Sequence, residues 1–244
     1  MYYPMARPFA SLRLRARIVT GLLATLIFVA LLAIFLAIPE SLLPTTDLDQ
    51  IGDDTFGLGL LLASVFLLLI QGLLYLTVSV FFLTFVYRAH ENLPALGTRK
   101  NRLQYSSGWM VGSFFVPFVS LVIPYRAVKE LWQRSQPLPD NIPGMYDYKP
   151  DPPAYFALWW FFWILANIGN NVVFRIGDGN GKSDSLPLPW LHACVHGLEI
   201  GAAVCLIMVV NSIARRQAES AIQMGQQQGF TGPPPPPQFS PAQS

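Results

Sequence analysis

Residues 106–135 read SSGWMVGSFFVPFVSLVIPYRAVKELWQRS, and the way this stretch sits in a bilayer fixes the topology of everything after it. The uncharged part, Gly108 to Ile123, is 16 residues long. As a helix it reaches only about 24 Å, short of the roughly 30 Å of a hydrocarbon core. Pro117 removes a backbone donor at its middle. Beyond Pro124 the pattern changes: Tyr125, Val128, Leu131 and Trp132 recur at helical spacing, and Arg126, Lys129, Glu130 and Arg134 fill the other face. That pattern predicts a short helix lying in the headgroup layer, with Tyr125 and Trp132 at interfacial depth and Trp109 at the entry to the stretch.

Outward from this segment the chain is dominated by long uncharged runs. Of its 244 residues 52% are hydrophobic and 12% charged, too few charges to coat a soluble globule of this size. Ile18 to Ile38 is a 21-residue uncharged run preceded by Arg7, Arg13, Arg15 and Arg17. A cleaved signal peptide has a shorter apolar core, about 7 to 15 residues, so this run reads as a retained first helix. Pro39 and Pro44 are expected to stop it. The loop that follows holds Glu40, Asp47, Asp49, Asp53 and Asp54 without a lysine or arginine and reads as non-cytoplasmic. Gly57 to Tyr87 is a second run, with Gln71 near its centre, where an amide is expected to face another helix. Ala154 to Phe174 and Trp190 to Ile213 follow as a helical hairpin. The first of this pair carries the aromatic cluster Trp159 to Trp163 and then Asn167, Asn170 and Asn171.

Charge placement chooses between two topologies. If Gly108 to Ile123 crosses the bilayer there are five spans, and the lysines and arginines divide ten inside to six outside. If it dips in and returns, or lies in the interface, there are four spans and both termini are cytoplasmic. Fourteen basic residues are then inside: four in the N-terminal tail, eight between Arg88 and Lys149, and two after the last helix. Only Arg175 and Lys182 are outside. The positive-inside rule prefers four spans. The fold expected is therefore an all-α integral membrane protein of four transmembrane helices, at about 18–38, 57–87, 154–174 and 190–213, with a re-entrant or interfacial insert at 108–135. Residues 1–17 form a basic cytoplasmic tail, 18–216 the membrane domain, and 217–244 a disordered Pro-rich tail. A re-entrant segment must be packed inside protein, because unsatisfied backbone cannot face lipid.

Chemistry-bearing residues are few. His192, His196 and Glu199 recur at i, i+4 and i+7 on one face of the last helix, and two imidazoles with a carboxylate are ligands for zinc or iron. The competing reading has these histidines and the asparagines at 167, 170 and 171 bonding one another and the turn backbone, holding the hairpin together. Glu199 fits that reading least, since it lies deeper and needs a partner. The chain contains no GxSxG, P-loop, CxxC or dinucleotide fingerprint. Catalytic residues are therefore unassigned and no cofactor is expected. Nucleic acid is not indicated as a partner, because the basic residues sit in membrane-flanking clusters. The lipid bilayer is the expected partner, and the Pro-rich C-terminal tail is a place for a protein partner.

The segment from Asn92-Leu93 through Ser107-Gly108-Trp109, Phe115-Val116-Pro117 and Pro124-Tyr125 to Glu130 and Trp132 resembles the uncharacterised bacterial membrane family called domain of unknown function 4328. The resemblance covers roughly residues 57 to 213. It departs at Ser120, where the family tends to have asparagine three residues after the Phe-x-Pro proline. The resemblance implies an integral membrane domain of the bacterial cytoplasmic membrane and no known reaction. The functional expectation is a non-enzymatic structural, interaction or lipid-contacting membrane component. The alternative is a metal-dependent or proton-coupled enzyme or transporter that uses His192, His196 and Glu199.

Overall fold

The computed structural model describes residues 9–42, 55–98, 103–136, 150–177 and 188–229. Six α-helices account for most of them: α1 (Arg13–Leu42), α2 (Thr55–Glu91), α3 (Ser107–Gly112), α4 (Ile123–Arg134), α5 (Tyr155–Gly177) and α6 (Leu188–Gly229). Among the described residues there is no strand. α1, α2, α5 and α6 are each long and apolar enough to cross a membrane, so the chain is an all-α, multi-pass membrane protein with four spanning helices. The acidic loop after the first span, most of the segment between α4 and α5, Lys182 and residues 230–244 lie outside the described residues.

Helix boundaries depart from the sequence expectation, most at the two ends of α1 and the end of α6. α1 begins at Arg13 and so takes in part of the basic tail. It also continues past Pro39 to Leu42, since proline's fixed φ is helical and only one donor is lost in the final turns. α6 runs to Gly229, so residues 217–229 are helix and not the start of a disordered tail.

α6 is the central helix, packing on both α1 and α5, while α2 packs mainly on α1. The α5–α6 seam is close because glycines face it. A Cβ on Gly169 would stand 2.7 Å from Val195 Cγ2, and one on Gly201 would stand 3.1 Å from Phe162 Cδ2. Without a hydrophobic effect between helices in lipid, such close backbone approach is what brings them together.

One end of the bundle is tied by a buried polar clamp. Ala10 N–H donates to Asn92 Oδ1 at 3.2 Å, and Asn92 Nδ2 donates to Ala10 O (2.9 Å) and to Gln217 Oε1 (3.0 Å). Gln217 Nε2 donates in turn to Ala89 O (2.8 Å) and Ser135 Oγ (3.2 Å), and Ser220 Oγ donates to Ser135 O (2.7 Å). The start of α1, the end of α2, the end of α4 and the last part of α6 therefore meet at this end. The insert enters and leaves the bundle there, and an even number of helices spans its length.

The insert is re-entrant. α3 packs on α2, and Phe114 meets Phe82 edge-on at 6.0 Å. Phe82 is nine positions before the end of α2, about 13 Å inside the bundle. The chain reverses at Phe118, whose φ is +63° and which is flanked by a Val119 N–H to Pro117 O bond of 2.7 Å. This is the γ-turn with positive φ, rare and strained for an L-residue. On the way out, Trp160 Nε1 donates to Leu121 O at 2.9 Å, supplying from α5 a partner for backbone that no helix satisfies. A short 3-10 turn (Val119–Leu121) leads into α4.

Candidate functional site

α6 places His196 and Glu199 one turn apart on the face turned toward the other helices. Glu199 is only 4% exposed, three turns into a helix long and apolar enough to cross a membrane. A buried carboxylate in such a place needs donors from elsewhere in the fold, and three helices supply them. From α2, Gln71 Nε2 donates to Glu199 Oε2 at 2.9 Å, and Tyr75, one turn further along, faces the same space as the carboxylate. From α5, Asn170 Nδ2 donates to Oε1 at 3.0 Å. From α6 itself, His196 Nδ1 lies 3.0 Å from Oε2. A carboxylate oxygen only accepts, so that nitrogen carries the hydrogen. The 3.4 Å approach of Gln71 Nε2 to the same nitrogen then sets donor against donor and contributes no bond.

α2 and α6, which make little direct backbone contact, are thus joined through Gln71 and Glu199. The expectation that Gln71 faces another helix is met. Tyr75 was not singled out by sequence, because one tyrosine in an apolar run carries no signal. Its spacing from Gln71, i and i+4 on one helical face, is the feature that could have found it.

The three-ligand metal set does not form. Among the described residues no group of three histidine, cysteine, aspartate or glutamate side chains is placed to hold a metal. The physical reason lies in the partners of Glu199: two amides and an imidazole N–H direct hydrogens at the carboxylate. His192 is half-buried one turn before His196 and gives no bond to Glu199. Of the asparagines only Asn170 reaches the cluster. Asn167 Nδ2 donates to Trp163 O (2.7 Å) and Asn171 Nδ2 to Asn167 O (2.8 Å), both within their own helix.

Glu199 and Tyr75 also form one end of a cavity of about 230 Å³ between the four long helices and the re-entrant insert. Its walls are otherwise almost wholly apolar and rich in aromatic rings, with Phe114 from the insert and Trp159, Trp160 and Trp163 from α5. The aromatic run of α5 divides between packing surface and outer surface. Trp159 and Trp160 are buried and Phe161 is exposed.

The residues expected at the membrane interface also divide. Trp109, Pro117 and Arg126 are exposed, Tyr125 and Lys129 half-buried, and Pro124, Glu130 and Trp132 buried. Trp132 is 7% exposed. Its Nε1 donates to Ser212 Oγ at 2.8 Å, its ring meets Phe156 edge-on at 5.6 Å, and the Arg216 guanidinium carbon lies 3.6 Å from the ring centroid. Glu130 Oε1 accepts from Gln104 N–H at 2.9 Å. α4 is therefore a helix wedged inside the bundle, because α6 continues past its Trp132 side and Glu130 of its charged face is buried as well.

A family model described as a domain of unknown function (DUF4328) matches residues 60–215. The chain belongs to the DUF4328 family. The DUF4328 segment contains the whole insert and all five residues of the carboxylate cluster, whereas Ala10, Gln217 and Ser220 of the polar clamp lie beyond it. No curated protein and no solved structure matches the chain.

Proposed function

We propose that this DUF4328 protein is a non-enzymatic, lipid-contacting component of the bacterial cytoplasmic membrane, with both ends of the chain in the cytoplasm. The observation that carries the reading is the outer surface of the re-entrant turn. Phe115 is 73% and Phe118 86% exposed, and both stand beside a strained reversal about one third of the way into the bundle. An exposed aromatic pair at that depth is a surface for acyl chains, not for water. Two polar side chains of the insert are engaged inward, Ser135 with Gln217 and Glu130 with Gln104, which supports a packing role for them. The cytoplasmic placement of the ends rests on the bias of fourteen basic residues against two.

A nitroxide attached at position 118 tests the reading, in a background with Cys194 and Cys205 replaced by alanine. In reconstituted bilayers the label should collide more with oxygen, which concentrates in acyl chains, than with a water-soluble nickel complex. Stronger collision with nickel places the turn in water and contradicts the proposal.

A further inference from the structure

We propose that the cavity ending on Glu199 is a binding site for a small lipophilic organic cation, an ammonium carried on a compact apolar or aromatic body. Four features point to that ligand class. The first is size: an apolar cavity of about 150 Å³ takes benzene, so one of about 230 Å³ takes a bicyclic or branched body of similar thickness. The second is the unbalanced carboxylate. Among the described residues no lysine or arginine pairs with Glu199, and its one partner of ionisable basic type is His196. An ammonium would supply the opposite charge that buried carboxylates ordinarily have.

The third feature is the wall. Tyr75, Trp159, Trp160 and Trp163 line the space around the carboxylate end and beyond it, and the faces of such rings attract cations, most strongly when desolvated. Trp160 and Trp163 are stacked, with ring centroids 4.8 Å apart. Carboxylate and aromatic faces thus select the same charge. The fourth is access. α2 and α5 are not packed backbone to backbone and meet through Phe82 set edge-on to Trp159 at 5.8 Å. A membrane-dissolved amine enters at this seam, and its ammonium reaches Glu199 beside the Tyr75 ring. The route rests on the placement of the bundle in lipid proposed above. The site shares Phe115 with the insert's outer surface but does not include Phe118, the position labelled above.

The test uses the full chain in lipid nanodiscs, with empty nanodiscs subtracted to remove partition into lipid. Binding of 1-naphthylmethylamine is compared with that of its neutral analogue 1-naphthylmethanol by calorimetry. The amine should bind the natural chain at least tenfold more tightly than the alcohol, and Glu199→Gln should reduce that preference to below threefold. Equal binding of the two probes, no binding of the amine, or a preference that survives Glu199→Gln would each overturn the proposal. Ala203→Phe fills the cavity one turn from Glu199 and should abolish binding of both probes. Amine binding that persists there would place the site elsewhere. Circular dichroism and elution volume verify that both variants are folded. The nitroxide measurement at position 118 is independent of both, so loss of amine binding and loss of lipid contact are separately readable.

Discussion

At the scale of single residues, Gln217 carries an unusual share of the structure. It is fully buried and accepts from Asn92 while donating to Ala89 O and Ser135 Oγ, so one amide joins α2, α4 and α6. Removing one partner of a buried hydrogen bond costs about 1–3 kcal/mol. Gln217→Leu is therefore expected to lower the unfolding midpoint in detergent by roughly 4–8 °C, whereas Arg215→Ala, which removes an exposed pair with Glu219, should leave it unchanged. Equal midpoints for the two variants would mean that the clamp does not hold the end of the bundle together. None of this was readable from the sequence, because Gln217 is separated from Ala89 by 128 positions and sits beside the charged Arg215 and Arg216. The carboxylate cluster was half readable. Glu199 stood out because a charge at mid-span demands partners, and Gln71 because an amide there does too, but which groups would meet depended on how α2 and α5 are turned about their axes.

At the scale of elements, the insert and α6 define each other. α4 looked like an interfacial helix because its charges fall on one face, the same pattern that a surface helix shows. The last part of α6 covers its other side and its end, where Ser212, Arg216, Gln217 and Ser220 meet Trp132 and Ser135. A signal for this extension was present: the buried positions 206, 209, 210, 213, 214, 217 and 220 keep helical spacing past the end of the uncharged run. The reversal at Phe118 gives a prediction at the same scale. Phe118 occupies a positive-φ conformation that costs a non-glycine residue about 1–3 kcal/mol, part of which glycine returns through its own backbone entropy. Phe118→Gly should therefore unfold about 1 kcal/mol later than Phe118→Ala, in which the strain stays and the ring is equally absent. An alanine variant as stable as the glycine one, or more so, would show that the turn is not held in the γ conformation.

At the scale of the whole molecule, the uncharged runs and their flanking charges made four spans legible, because lipid imposes length and basic residues mark one side. The depth to which the insert penetrates was not legible, since it depends on contacts between Phe114 and Phe82 and between Trp160 and the Leu121 carbonyl that no local pattern encodes. The architecture is a bundle closed at one end by a proline-broken segment that returns to the side it came from, leaving an apolar space above it that ends on Glu199. The return of that segment is the central claim, and labelling its two flanks tests it most directly. Cysteines placed singly at Gln104 and at Asp151, both exposed, in the background without Cys194 and Cys205, are treated with a membrane-impermeant maleimide on sealed vesicles of one orientation. Both positions should react from the same side. Reaction from opposite sides would mean that residues 108–123 cross the bilayer and would contradict the four-span architecture.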